Sequence, residues 1–139
     1  MTGRPNGDAE PGDVSAPGRA VMVRAARGAI TVDLDERGVV LDATERLLRE
    51  ILGRNDAEPD DVISILFTAT DDVRSVFPAE AARRMGLSAV PLMCARELDV
   101  DGALPACIRV LVHFHSARSP GDVAHVYLEG ARGLRDDLD

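Results

Sequence analysis

The spacing of hydrophobic residues predicts one long amphipathic helix and one deeply buried strand. In the helical segment, inward-facing positions recur every three or four residues between acids and arginines. These positions are Val40, Thr44, Leu47, Leu48 and Ile51. Residues 62–69, VISILFTA, are almost continuously apolar, as expected of a strand that is buried on both faces.

Four further segments have the composition of strands, and one has that of a short helix. The predicted strands are residues 21–32, 89–98, 107–115 and 123–129. Gly28 indicates a bulge in the first of them, and Pro91 indicates that the third lies at a sheet edge or contains a bulge. Pro78 suits the first turn of the short helix PAEAARRM, which Gly86 ends.

The predicted order of elements is β-α-β-α-β-β-β, which indicates an α+β domain with a mixed β-sheet and two main helices. Such a sheet leaves edges and part of one face uncovered, which favours an oligomer. Residues 1–20 are rich in glycine and proline and poor in apolar residues. We therefore expect a disordered N-terminal tail, 1–20, followed by one folded domain, 21–139.

The charged residues exclude several classes of chemistry. The 139 residues include 24 acids and 16 arginines but no lysine, and the formal net charge is −8. Without an ε-amine the chain cannot form a lysine Schiff base, anchor pyridoxal phosphate or supply a P-loop lysine. The acidic pI of about 4.8 argues against general binding of nucleic acid or anionic membranes.

The sequence contains no signal peptide and no apolar run of the roughly 18 residues that a membrane span needs. Its two cysteines, Cys94 and Cys107, are too few for a disulfide framework or a four-cysteine zinc site. We therefore expect a cytoplasmic protein in a reducing compartment.

Two arginines occupy unusual positions in predicted strands. Arg109 interrupts the apolar run Ile-Arg-Val-Leu-Val, and alternation places it on one strand face with His113 and His115. Arg109 either belongs to a solvated or ion-paired sheet face or binds an anion, because a guanidinium can hold a carboxylate at two points. The same two interpretations are open for Arg27, which lies in a strand of small residues.

The remaining candidate residues do not form a conventional catalytic set. His113 and His115 could bind a metal, but no third ligand has a suitable spacing, so two exposed histidines are the preferred interpretation. Cys94 has no predicted base partner and is interpreted as a small buried hydrophobe. Taken alone, Glu97 is a surface acid. The sequence has neither a glycine-rich phosphate loop nor a nucleophile elbow.

Four segments in one order carry a family resemblance. They are VRAARGAITV at 23–32, TATDDVRSVFPAEAAR at 68–83, VPLMCARELDVDGALPACIRVLVHF at 90–114 and HVYLEGARGLRDDL at 125–138. Together they resemble the AroH class of chorismate mutase, the monofunctional type typified in bacilli. The resemblance covers nearly all of 21–139 and leaves the glycine- and proline-rich tail unmatched.

The resemblance implies a homotrimer with a pseudo-α/β-barrel core and active sites in clefts between neighbouring subunits. The implied reaction is the pericyclic rearrangement of chorismate to prephenate, a step toward phenylalanine and tyrosine. This reaction needs no cofactor, no metal, no covalent intermediate and no proton transfer, so the only implied partners are chorismate and further copies of the chain.

The resemblance also implies roles for particular residues. Arg109 would stabilise the charge that develops on the ether oxygen of the substrate and would contact a carboxylate. Arg27 would bind a substrate carboxylate, and Tyr127 would donate its hydroxyl to one. Glu97 and Cys94 would hold the ring hydroxyl and fix the orientation of the ring.

Five further residues would complete the substrate pocket: Phe77, Ala79, Arg83, Leu134 and Arg135. The first two would form an apolar wall, the arginines would assist near the mouth, and the C-terminal segment would close over bound ligand. The chain departs from the family pattern at Glu80, where a lysine is common, and at Met93, where a hydroxyl residue is common. We expect both departures to affect affinity rather than chemistry.

Two other functions are compatible with such a chain. The enamine/imine deaminase superfamily has a similar trimeric architecture and an arginine-anchored carboxylate site, but its characteristic C-terminal motifs are absent from this sequence. A trimeric module that binds a small carboxylate without catalysis would require Arg27 and make Arg109 dispensable.

Overall fold

The computed structural model describes residues 20–135, with Arg135 described only in its backbone. The predicted tail therefore lies outside the described residues except for Ala20. Within them the predicted order of strands and helices is confirmed. The strands are β1 (Met22–Thr31), β2 (Val62–Ala69), β3 (Leu92–Arg96), β4 (Cys107–Ser116) and β5 (Val126–Leu128), and the α-helices are α1 (Arg37–Arg54) and α2 (Ala79–Arg84). Short 3-10 turns cover Pro59–Asp61, Pro120–Asp122 and Glu129–Arg135.

All of these strands join one mixed sheet in the order β3-β2-β4-β1-β5. The central strand β4 runs antiparallel to both β1 and β2, while the outer pairs β2–β3 and β1–β5 are parallel. The edge position predicted for the strand near Pro91 is confirmed, because β3 lies at one edge of the sheet. Pro91 itself precedes the first residue of that strand, where its missing N–H costs no ladder bond.

The main core lies between the sheet and α1. Alternate residues of β4 face the helix, and Ile108, Val112 and Phe114 are fully buried there. The helix contributes its predicted apolar stripe to the same core. Thr44 is buried within that stripe, and its hydroxyl donates to the Val40 carbonyl over 2.7 Å, so burial leaves its hydroxyl satisfied. Across residues 20–135 no helix has the length and apolar character required to span a membrane.

Gly28 does not form the predicted bulge. The β1–β4 ladder continues without a register shift from Met22 to Thr31, and the irregularity in the sheet lies instead between Val62 and Ser64 of β2. A Cβ at Gly28 would lie 2.7 Å from Cδ1 of Ile51 and 3.0 Å from the carbonyl oxygen of Val126. Glycine is needed here because α1 and β5 approach the β1 backbone closely.

The buried side chain of Asn55 fixes the approach to β5. Its Nδ2 donates to the carbonyls of Ile51 and Ala124 over 2.8 and 2.9 Å, and its Oδ1 accepts from the Ala124 N–H over 2.8 Å. The end of α1 is therefore tied to the residue that lies two positions before β5. This contact holds the residues that lead into β5, the strand that contains Tyr127.

We predict that Gly28→Ala lowers the free energy of unfolding by about 1–3 kcal/mol, because the added methyl overpacks the α1–β1 contact. Gly53→Ala is the matched control: Gly53 is exposed in α1, and a Cβ added there would have no atom within 4 Å. Alanine there should raise the free energy by about 0.5–1 kcal/mol through helix propensity. Urea-induced unfolding at one fixed protein concentration measures both, and an unchanged midpoint for Gly28→Ala would contradict the close approach.

Candidate active site

The sheet face opposite α1 carries a small cleft that brings four of the predicted site residues together. The cleft, here called the arginine cleft, has a volume of about 240 Å³. It is lined by Arg27, Gly28, Thr68, Glu97, Arg109, Val110, Leu111 and Tyr127. These residues come from β1, β2, β4, β5 and the chain just after β3, so the order of strands assembles the site.

The strand register positions the side chains of the arginine cleft. Ala29 of β1 pairs with Arg109 on one side and with Tyr127 on the other. Successive strands place equivalent side chains about 4.7–4.9 Å apart, and a methyl group between the two long side chains leaves room for a ligand. On its other side Arg109 pairs with Thr68 of β2. A central strand with short neighbours therefore presents Arg109 to the cleft.

Glu97 reaches the arginine cleft from just beyond the end of β3. Its backbone N–H donates to the Ala69 carbonyl over 3.0 Å, which continues the strand pairing by one bond. Its carboxylate accepts a hydrogen bond from the Thr68 hydroxyl. The same carboxylate oxygen, Oε1, lies 3.6 Å from Nε of Arg109, an ion pair that is too long for a hydrogen bond.

The guanidinium of Arg109 is buried at one end. Its Nε is buried without a hydrogen-bond partner among the described residues, although the rest of the side chain is partly exposed to the cleft. A buried donor of this kind is costly unless a ligand or water satisfies it. Of the two interpretations of Arg109, the geometry therefore favours a side chain available to an anion over one fully engaged in an ion pair.

Arg27 and Tyr127 form the other side of the arginine cleft. The Arg27 side chain is exposed, and its backbone N–H donates to Nδ1 of His125 over 3.0 Å. Tyr127 is half-buried and packs against a small second cluster formed by Ala29, Cys107 and Ala131. Leu134 packs against the same cluster, so the described part of the C-terminal segment already lies beside the cleft.

A larger cleft of about 570 Å³ lies at the C-terminal ends of β2 and β3 and extends along the loop that follows β2. This Phe77 cleft is lined by Arg37, Ala69, Thr70, Asp71, Val73, Arg74, Ser75, Val76, Phe77, Pro78, Glu80, Cys94, Ala95 and Arg96. It contains two predicted site residues, Phe77 and Cys94, which the single chain therefore separates from the arginine cleft. Phe77 is 73% exposed, which is unusual for an aromatic side chain without a partner surface.

The loop that carries Phe77 is held by hydrogen bonds to Asp35. The backbone N–H groups of Arg74 and Ser75 donate to its two carboxylate oxygens, each over 3.0 Å. A hydrogen bond from the Ser75 side chain, together with these backbone bonds, lowers the pKa of Asp35. These bonds to Asp35 fix the backbone two and three residues before Phe77, in the loop from which its side chain is exposed.

Ion pairs neutralise the acids of the Phe77 cleft. Arg96 binds Asp71 at two points, over 2.5 and 2.6 Å, and hydrogen bonding from Arg96 lowers the pKa of that carboxyl. Glu80 pairs with Arg37. The acid that replaces the family lysine therefore does not present an uncompensated negative charge to the cleft.

The remaining predicted residues lie outside both linings. Ala79 is 4% exposed and belongs to the main core, because the first turn of α2 faces inward, so within one chain it forms no pocket wall. Arg83 is exposed on α2. Met93 is exposed on β3. Leu134 lies beside the arginine cleft without lining it, and the Arg135 side chain lies outside the described residues.

Two other expectations about side chains can be compared with the structure. Cys94 is exposed, so its interpretation as a buried hydrophobe is wrong; β3 is an edge strand with an open face at that position. His113 is hydrogen-bonded to the hydroxyl of Ser64 at 3.1 Å, and His115 is exposed. Among residues 20–135 no group of three His, Cys, Asp or Glu side chains could hold a metal.

Sequence reasoning missed Thr68, His125 and the arginines of the Phe77 cleft. Thr68 lies in the buried-strand pattern of 62–69 and becomes a site residue only because it pairs with Arg109. The Arg96–Asp71 pair joins residues that are 25 positions apart. Strand pairing would have revealed these neighbours, but periodicity within one strand does not.

The comparison with known proteins decides between the possible functions. Residues 23–138 match the family chorismate mutase type I. The chain belongs to this family. As a chorismate mutase it is an isomerase of aromatic amino-acid biosynthesis, and the enamine/imine deaminase alternative is not supported.

Individual relatives agree with this assignment. The chorismate mutase AroH of Bacillus subtilis (strain 168) is 41% identical over 119 residues, which are 85% of this chain and 94% of that protein. The chorismate mutase AroH of Thermus thermophilus is 44% identical over 119 residues, or 85% and 98% of the two chains. A solved structure of a chorismate mutase from Clostridium thermocellum has a TM-score of 0.76 and 45% identity, covering 78% of this chain and 96% of that one.

The two cysteines of this chorismate mutase should differ in reactivity. Cys94 is exposed in the Phe77 cleft, whereas burial raises the pKa of the Cys107 thiol and blocks access to it. Ellman's reagent at pH 8 should modify one thiol per native chain, and Cys94→Ser should remove that reaction. Rapid modification of two thiols in the native protein would contradict the buried position of Cys107.

Proposed function

We propose that the enzyme converts chorismate to prephenate in sites that two subunits of a homotrimer build together, each joining one subunit's arginine cleft to another's Phe77 cleft. The observation that carries this proposal is the buried, unpartnered Nε of Arg109 beside Arg27, Glu97 and Tyr127. Family membership supplies the reaction, and the cleft supplies the cations that a dianionic substrate requires.

Arg109 stabilises the transition state in this proposal. As the C–O bond of chorismate breaks, negative charge grows on the ether oxygen, and a fixed guanidinium there binds the transition state more strongly than the ground state. The β-ladders on both sides of β4 hold the Arg109 backbone, so little reorganisation is needed during the reaction. The rearrangement transfers no proton to the protein, which fits a cleft whose central groups are a guanidinium and a carboxylate.

The other residues of the arginine cleft hold the substrate in a reactive conformation. Arg27 binds a carboxylate, and Tyr127 donates its hydroxyl to one. Glu97 accepts a hydrogen bond from the ring hydroxyl, and Cys94 approaches that hydroxyl from the neighbouring subunit's Phe77 cleft. Holding both ends of the enolpyruvyl side chain over the ring forms the compressed chair in which the bond-forming carbons meet. Binding therefore fixes the reactive conformation in advance, which lowers the entropic part of the activation barrier that the free substrate faces in solution.

The trimer accounts for surfaces that one chain leaves open. Phe77 is exposed, the sheet ends in edge strands, and the face opposite α1 is covered only in part. A pseudo-α/β-barrel of three packed sheets in the cytoplasm would cover these surfaces. Phe77, Ala79 and Arg83 would then belong to the neighbour's side of the pocket, and Leu134 and Arg135 would close over the ligand.

We predict that Arg109→Ala lowers kcat by about 10²–10³-fold, because a preorganised donor to the developing charge is lost. Arg109→Lys should recover little, since the fork geometry is lost as well. Arg54→Ala is the matched control, because Arg54 forms a surface ion pair with Glu50 on α1 and lines neither cleft. A spectrophotometric assay of chorismate disappearance measures all three, and near-normal turnover by Arg109→Ala would show that its assigned role is wrong.

We predict a solution mass of three times the 14.8 kDa chain by light scattering. The shared site has a sharper test in co-expression of two inactive variants, Arg109→Ala and Phe77→Asp. If the two side chains come from different subunits, every mixed trimer contains one site with both wild-type residues and activity returns. If each chain forms its own site, no mixed trimer regains activity, and a monomer in solution would equally contradict the proposal.

A further inference from the structure

We propose that Thr68 is a positioning residue that keeps the Glu97 carboxylate from closing onto the Arg109 guanidinium. This inference rests on the roles given above to Glu97 and Arg109. No resemblance or residue pattern assigned a role to Thr68, which lies on a strand whose other side chains serve mainly the core.

Strand order places Thr68 between the strand that carries Arg109 and the strand that leads to Glu97. Thr68 of β2 pairs with Arg109 of β4 on one side and with Ala95 of β3 on the other. Glu97 lies two residues beyond Ala95, so its side chain returns along the same face of the sheet. The hydroxyl of Thr68 donates to Oε1 of Glu97, and Thr68 itself lines the arginine cleft.

Glu97 and Arg109 are separated although their charges attract. Oε1 of Glu97 lies 3.6 Å from Nε of Arg109, and that Nε is buried without a hydrogen-bond partner among the described residues. A shift of less than about 1 Å would convert this contact into a charge-assisted hydrogen bond. The bond from Thr68 opposes that shift because it holds the same oxygen atom on the β2 side.

The separation serves the reaction in two ways. A guanidinium closely paired with a carboxylate has less positive potential to offer the ether oxygen of the substrate. A carboxylate held at one oxygen by Thr68 keeps its second oxygen free to accept the ring hydroxyl. Thr68 therefore preserves both the positive charge of Arg109 and the free acceptor oxygen of Glu97, without contacting the reacting atoms.

A purely structural role would predict a different pattern among variants. Threonine is common in strands because its branched side chain packs well on a sheet face. Valine keeps that branched shape and loses the hydroxyl, whereas serine keeps the hydroxyl and loses the methyl. If packing alone matters, Thr68→Val is the milder substitution; if the hydroxyl positions Glu97, Thr68→Ser is.

The experiment compares kcat and KM for Thr68→Val and Thr68→Ser. We expect Thr68→Val to lower kcat about tenfold, the effect of one lost hydrogen bond, with a smaller change in KM. Thr68→Ser should stay within about twofold of the wild type. Ser64→Ala is the matched control, because Ser64 is a hydroxyl residue on the same strand whose partner is His113 rather than Glu97. It too should stay within about twofold.

Proton NMR spectroscopy follows the Arg109 side chain directly. The Nε–H signal of Arg109, identified as the one missing from Arg109→Lys, should move to higher proton shift in Thr68→Val as Glu97 closes onto it. Thermal unfolding checks that each variant is folded. Equal activity of Thr68→Val and Thr68→Ser, or an unmoved Arg109 signal in a folded Thr68→Val, overturns the inference.

These outcomes are separate from a failure of the proposed function. If Arg109→Ala remains active, the assignment of Arg109 is wrong whatever Thr68 does. If Arg109→Ala is inactive while Thr68→Val is as active as the wild type, the proposed mechanism stands and the role of Thr68 is wrong.

Discussion

The register of β4 against its two neighbours is the constraint on which the rest of the structure depends. Each of its ten residues pairs with β1, and seven β2 pairs are formed along the other side. Because side chains alternate, this register sends Ile108 and Val112 into the core and Arg109 to the opposite face. A slip of one residue would bury the guanidinium under α1 and expose the core residues. The hydrophobic stability of the domain therefore also enforces the orientation of Arg109.

The acidic composition becomes understandable when the arginines are considered one by one. Several are held by acids at the surface, as in the pairs Arg37–Glu80, Arg84–Glu45, Arg96–Asp71 and Arg118–Asp56. Within residues 20–135 Arg27 forms no ion pair, and Arg109 forms only the long one to Glu97. A net charge of −8 is thus compatible with capture of a dianion, because the local potential depends on which guanidinium groups remain unneutralised.

Sequence periodicity sufficed for the order of elements and for the face on which Arg109 lies. It predicted β2 to the residue, because a continuous apolar run between polar segments has unambiguous ends. It failed at Gly28 because a bulge and a close tertiary approach both require glycine, and only the position of Ile51 distinguishes them. It could not reveal that Cys94 is exposed, or that Phe77 and Arg109 lie in different clefts. Those facts depend on the order of the strands in the sheet and on the path of the loop that carries Phe77.

The contact between Asn55 and Ala124 links the dynamics of the arginine cleft to the end of α1. A three-residue parallel strand at a sheet edge has few hydrogen bonds of its own and would ordinarily be among the first segments to open. Here the residue that leads into β5 is bonded on both its N–H and its C=O to a buried side chain at the end of α1. Detachment of β5, which carries Tyr127, therefore requires the last turn of α1 to loosen as well. The two segments form one cooperative unit, so amide exchange in β5 should follow the stability of the helix end.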